Sequence, residues 1–174
     1  MKDIRVGRLG GLDLIMGSTA WIGAVVLWAL LAAGGYFILK VPLMDALVGA
    51  LAASILHFAS EMIHQFGHAI AARRVGYPMT GMRFWGVLAS SLYPPDEPDL
   101  PPATHIRRAL GGIPMSAVVA LIGAALAVIT QPLGGVVWAV ILFFALDNLI
   151  VFTFGSLLPL GFTDGSTLLH YWRK

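Results

Sequence analysis

Residues 43–72 read LMDALVGALAASILHFASEMIHQFGHAIAA, a run of apolar and small residues that decides the fold. About 20 helical residues cover a hydrocarbon core of ~30 Å, so this run can cross a bilayer. At ~100° per residue, positions three, four and seven apart share a helix face. His57, Glu61, His64 and His68 follow spacings of four, three and four, and so form one polar stripe on an apolar helix. Ionisable groups inside a membrane are costly, so they face the bundle interior and usually carry a function. His64 and His68 are one turn apart, so both imidazoles can reach one metal ion, and neutral imidazole suits zinc. The competing reading of the pair is two buried, hydrogen-bonded histidines.

Outward from this helix, residues 14–39, 109–130 and 135–158 are three further runs of membrane-spanning length. Short connections at 40–42 and 131–134 make each neighbouring pair an antiparallel hairpin. Gly34–Gly35 in the first run and Gly111, Gly112 and Pro114 opening the third allow close helix approach in lipid. Across the 174 residues 58% are apolar and 11% charged, against about 25% charged in ordinary soluble domains. A soluble domain of this size would need more charge to cover its surface. There is no cysteine, which removes thiol catalysis and thiolate metal sites. A net charge of +2 gives no argument for nucleic acid. The expected fold is an all-α membrane protein of four transmembrane helices, one domain over residues 1–174, with no internal repeat. The basic N-terminal residues before an apolar run suggest a signal peptide, but the run is too long and lacks a clear small-residue cleavage site, so it reads as a retained anchor.

The basic residues set the orientation. Lys2, Arg5 and Arg8 precede the first span; Arg73, Arg74, Arg83, Arg107 and Arg108 lie between the second and third; Arg173 and Lys174 end the chain. Only Lys40 falls on the other side. The positive-inside rule then places both termini and the middle loop, residues 73–108, in the cytoplasm, and a prokaryotic cell membrane is the expected location. Within that loop Tyr77 to Tyr93 is apolar and aromatic, suited to a short sheet or re-entrant segment at the membrane surface. Residues 94–102 hold five prolines and three acids and read as an extended, exposed strap. The stretch from residue 75 to 105 is the only sizeable non-helical region expected.

His68 lies five residues before Arg73, so ~7–8 Å of helix rise separates it from the cytoplasmic surface. A mononuclear site needs a third ligand. Asp13, Asp45, Glu61, Asp147 and Asp164 lie in or near the core. Asp164 is best placed, because Pro159 and Gly161 should break the fourth helix before it, at the cytoplasmic end. Asp147, higher in that span, reads as an interhelical hydrogen-bond partner, with Asn148 or His57 as candidates. His105 and His170 read as surface residues. The Glu61-x-x-His64 spacing also occurs in carboxylate di-metal bundles, but a second such motif is missing. A proton- or metal-relaying transporter is disfavoured by the small size and lack of a repeat.

These residues resemble the site-2 protease family of intramembrane zinc metalloproteases. The family's His-Glu-x-x-His motif stands here as His64–Gln65–Phe66–Gly67–His68, followed by Ala69 and the Ala71–Ala72–Arg73–Arg74 run. Its Asn-Leu-Leu-Pro-x4-Asp-Gly motif stands as Ser156–Leu157–Leu158–Pro159 and, four residues on, Asp164–Gly165. The stretch at 110–116 loosely echoes a Gly-Pro motif on the intervening span. The resemblance implies one zinc ion per chain held by His64, His68 and Asp164. It implies that the substrate is a transmembrane helix of another protein, unwound and cut near the cytoplasmic face, with the Tyr77–Tyr93 region offering it an edge strand. The lipid bilayer is the other partner; no nucleic acid is.

Two residues depart from the pattern. Gln65 replaces the family's glutamate, which takes a proton from the attacking water; such acid–base work contributes about 10²–10⁴-fold. Gln65 cannot accept a proton at neutral pH, so the metal site should survive and hydrolysis should be crippled. Ser156 replaces the asparagine that contacts substrate or oxyanion. Gln65 fits an inactivated protease, a native pseudoprotease scaffold that binds membrane helices without cutting, or a protein in which Glu61 serves as base. Glu61 fits better as a partner that orients His64.

Overall fold

The computed structural model describes residues 3–172. Lys2, Arg173 and Lys174, used in the charge argument, lie outside the described residues. Four helical segments are long and apolar enough to cross a membrane: Ser18–Ile38, Leu43–Arg74, Pro102–Leu133 and Gly135–Leu157. The first comprises helix α1 (Ser18–Ala33) and a π-helical turn, Gly34–Ile38.

Helix α2 (Leu43–Arg74) is the long central helix. Pro42 precedes it, where a missing N–H costs nothing, and Asp45 in the first turn and Arg73 and Arg74 in the last complement its dipole. It ends in a Schellman motif. Gly76 takes φ 83°, Tyr77 N–H donates to Ala72 O, and Gly76 N–H donates to Arg73 O. Its buried face is small or polar: Ala46, Gly49, Ala50, Ala53, His57, Glu61, His64, Gln65, Gly67 and His68. Leu43, Met44, Val48, Leu51 and Ile55 point outward, as lipid contact requires.

Helix α3 (Pro102–Ala109) leads into α4 (Gly112–Thr130) across a short break. Helix α5 (Gly135–Asp147) continues as a π-helical segment, Asn148–Phe154, and a 3-10 turn, Gly155–Leu157. The chain then extends at Leu158, bends through residues 159–163, and restarts as α6 (Asp164–Trp172). The break before Asp164 is where Pro159 and Gly161 place it; Gly161 takes φ 91°.

A four-stranded sheet packs on α2, in the order β1 (Ile4–Leu9), β2 (Leu12–Met16), β3 (Gly81–Trp85), β4 (Leu88–Leu92). β1 and β2 pair antiparallel, as do β3 and β4, while β2 and β3 run parallel. Leu12, Met79, Met82 and Phe84 bury against Ala69 and Ala72 of α2. The β3–β4 hairpin confirms the short sheet expected from Tyr77 to Tyr93.

Three expectations need correction. The first span does not begin at residue 14, because Leu12–Met16 is a strand and α1 starts at Ser18. Hydropathy cannot tell an apolar strand from the start of an apolar helix; Gly10 and Gly11, at φ 59° and 86°, make the turn that folds Leu12–Met16 back on β1 as a hairpin. The 75–105 stretch is therefore not the only non-helical region. Finally, Asp13 is not a core carboxylate: it is partly exposed in β2 and pairs with Arg5 at 2.6 Å. Asp45 is likewise exposed at the far end of α2.

Candidate metal centre

Helix α2 presents His64 and His68 one turn apart, and the break after α5 swings Asp164 at the start of α6 onto them. The His64 and His68 Nε2 atoms lie 3.0 Å apart. Asp164 Oδ2 is 3.2 Å from His64 Nε2, and Oδ1 is 3.3 Å from His68 Nε2. The structure thus brings together the three residues picked out as ligands.

The far nitrogen of His68 settles where its proton sits. His68 Nδ1 is 2.8 Å from Arg108 O, a carbonyl that only accepts, so Nδ1 carries the hydrogen. In neutral imidazole that leaves Nε2 a lone pair aimed into the cluster. His64 Nδ1 meets Ser116 Oγ at 2.8 Å. Asp164 Oδ2 is buried without a well-formed hydrogen bond. With the His64 Nδ1 proton donated to Ser116 Oγ, three electron-pair donors converge on one point, an arrangement that asks for a cation. Zinc bonds of ~2.0–2.1 Å in a tetrahedron put neighbouring donors ~3.3 Å apart, close to the spacings seen.

The imidazoles fit because α4 begins with glycines. A methyl group on Gly112 would stand 2.5 Å from His64 Nε2 and 2.6 Å from His68 Nε2. Gly67 of α2 faces Gly111 and Gly112 at the same crossing.

Gln65 points away from the histidine pair, toward β4. Its Nε2 donates to Glu61 Oε1 (3.1 Å) and to Ala89 O (3.0 Å), and its Oε1 accepts from Ser91 Oγ (2.8 Å). Glu61 Oε1 also accepts from Ala89 N–H at 2.9 Å. The expectation that Glu61 orients His64 is corrected: Ser116 holds that ring. Ser116 lies one turn beyond Gly112 on the same face of α4, a spacing the sequence did carry. Ser156 sits in the 3-10 turn, donates to Thr153 O (3.2 Å) and lines the cavity described below.

Arg108 was missed. Counted as a surface cation, it is buried and joins three parts of the site. Its Nη1 donates to Glu97 Oε2 (2.9 Å), its Nη2 to Tyr77 O (2.6 Å), and its guanidinium stacks 4.0 Å from the Tyr93 ring centre. Its carbonyl receives the proton of His68. The otherwise exposed proline strap is thereby pinned at Glu97, whose carboxyl the Arg108 hydrogen bond holds below its ordinary range.

Asp147 takes the partner expected of it: His57 Nδ1 lies 3.0 Å from Asp147 Oδ2. His57 Nε2 donates to Val87 O at 2.7 Å, fixing the β3–β4 turn, and Asn148 donates to Ser60 Oγ at 2.8 Å. His170 is exposed. His105 is corrected: it is half-buried, stacks on Tyr171 with ring centres 4.0 Å apart, and lines the cavity. That cavity, about 670 Å³, lies over the metal ligands between β4, the π-helical segment and α6. Trp85 and Phe162 meet edge to face across it, with centroids 5.5 Å apart.

Fold and site together define a multi-pass membrane protein with a His64–His68–Asp164 cluster inside its helical bundle that could hold a metal ion. No family model and no curated protein matches the sequence. Among solved structures, the site-2 protease from Methanocaldococcus jannaschii is similar over 97% of this chain and 70% of that one, with TM-score 0.66 and 16% identity. The chain has a site-2-protease-like fold.

Proposed function

We propose that this chain is an intramembrane metalloprotease-type protein of the site-2 protease kind, binding one zinc ion through His64, His68 and Asp164. The observation that carries the reading is the convergence of those three donors, each spaced as a zinc shell requires, on a fold of that kind. Bound zinc would act as a Lewis acid toward a water or a carbonyl oxygen. The chain's own residues do the rest. Ser116 holds the His64 ring in place, and the Arg108 carbonyl holds His68 in the ligating tautomer. Trp85, Leu88, Phe152 and Phe162 give the cavity apolar walls beside these polar groups. Ser156 lines the same cavity, and its hydroxyl would turn from Thr153 O to donate to a substrate carbonyl. The client is a transmembrane helix of another protein, entering unwound near the cytoplasmic face of a prokaryotic cell membrane, with both chain ends on that face. Asp3 pairs with Arg83 and α6 packs on α3, so the described ends of the chain lie with the middle loop.

The second reading, a scaffold that grips membrane helices without cutting them, is favoured by one observation. The Gln65 amide is committed by three hydrogen bonds to Glu61 and β4, away from the metal ligands. Reconstituted protein and a panel of single-span membrane substrates separate the two. Cleavage by Gln65→Glu or by Glu61→Gln/Gln65→Glu, lost on His68→Ala, supports the protease; cleavage by none of them favours the scaffold.

A further inference from the structure

β4 is an edge strand, and its hairpin register fixes which peptide groups face outward. Trp85 and Leu88 flank the two-residue turn, Arg83 pairs with Ser90, and Thr80 N–H donates to Leu92 O. Antiparallel pairs alternate between bonded and non-bonded, so Ala89 and Ser91 turn their N–H and C=O groups away from β3. An added strand would use those groups. At Ala89 both are already taken. Glu61 supplies an acceptor to its N–H and Gln65 a donor to its C=O, at 2.9 and 3.0 Å. One acceptor and one donor, side by side, are what a neighbouring strand would offer.

We propose that Glu61 and Gln65 form a strand-mimicking clamp that closes the outer edge of β4 at Ala89, and that an extended apolar peptide pairing there must displace it. This rests on the reading of β4 as the place where an unwound client docks. Position 65 is then a positioning and specificity-determining residue. A glutamate at 65 would set a carboxylate against two acceptors, Glu61 Oε1 and Ala89 O, where the amide now donates to both. Ser91, whose hydroxyl donates to Gln65 Oε1, reports on the same contact from the next outward position. The clamp side chains come from α2: Glu61 lies between the hairpin-fixing His57 and His64, and Gln65 follows His64 but turns its amide to β4, so release of the edge need not move the imidazoles.

Amide hydrogen exchange on the full chain in lipid nanodiscs tests the clamp without metal or client. Glu61→Leu should speed exchange of the Ala89 amide at least tenfold while the β3 amides stay protected. Glu61→Gln, whose side-chain carbonyl still accepts, should keep it slow. The probe for docking is a synthetic Leu/Ala-rich transmembrane peptide with a central Gly-Pro break and a photoreactive phenylalanine. Gln65→Leu should raise its crosslinking to residues 88–92 at least threefold over the unaltered chain. Unchanged Ala89 exchange in Glu61→Leu overturns the clamp. Faster exchange without increased crosslinking in either variant overturns the competition between clamp and peptide. Zinc content measured on the same samples reports separately on the metal site, so a failed clamp and a failed metal reading are distinguishable.

Discussion

Gly112→Ala adds one methyl group against both imidazoles of the candidate metal centre. The new carbon would stand 2.5 Å from His64 Nε2 and 2.6 Å from His68 Nε2. Carbon and nitrogen settle at ~3.5 Å or more, so the contacts must open by ~1 Å. Neither ring can turn away freely, because Ser116 Oγ and Arg108 O hold the far nitrogens at 2.8 Å. The α4 backbone cannot retreat without pulling Gly111 off Gly67 and His68. Metal sites tolerate ligand displacements of ~0.2 Å, and loss of an orienting partner alone costs about 10–100-fold in affinity. Two displaced ligands should cost at least ~100-fold, which is ~2.7 kcal/mol at 1.36 kcal/mol per tenfold. Competition against a chromophoric chelator measures this on detergent-purified protein, with circular dichroism and size exclusion to establish that the variant is folded. Gly34→Ala is the matched control: its methyl group meets nothing within 4 Å and its φ is −58°. Folded Gly112→Ala protein that binds zinc as tightly as the unaltered chain would refute the geometry of the centre.

Ser116→Ala should weaken zinc binding about 10–100-fold by releasing the His64 ring, with the same chelator assay as the check. Gln65→Glu alone should lower the thermal unfolding midpoint, because a carboxylate replaces the donor shared by Glu61 and Ala89. Glu61→Gln/Gln65→Glu, with one charge instead of two, should recover part of the loss; equal midpoints for the two variants would count against the clamp. Glu97 has a carboxyl held below its unfolded value by Arg108, so its stabilising contribution is full above the ordinary carboxylate pKa of ~4.3. That contribution is lost as pH falls through the folded value. Proteolysis of the proline strap should therefore accelerate below about pH 4, and Glu97→Gln, cut faster at neutral pH, should show a flatter acid limb. An unchanged acid limb in Glu97→Gln would show that the strap is held elsewhere.

Much of the fold and the metal cluster was legible because lipid imposes strict rules. Span length, tight connections and the sidedness of Arg and Lys gave the bundle, and a polar stripe on an apolar helix gave His64 and His68. Asp164 followed from depth and from two helix breakers. The β1–β2 hairpin was not legible by hydropathy, since Leu12–Met16 is as apolar as the helix it precedes; only the Gly10–Gly11 pair marked it. Arg108 was misread because charge counting treats every arginine near a span end as surface. Its burial depends on partners 11 and 31 residues away, Glu97 and Tyr77. The bonds of Gln65 were hidden for the same reason: that it faces β4 follows from hairpin register, which no single stretch of sequence contains.

In the proposed centre His64, His68 and Asp164 hold one zinc ion inside the bundle. Elemental analysis of the purified chain, alongside His68→Ala and Asp164→Asn, tests it most directly. About one zinc per chain is expected, lost in His68→Ala and strongly reduced in Asp164→Asn while both variants stay folded. Two irons per chain, or zinc retained in full by folded His68→Ala, would contradict it.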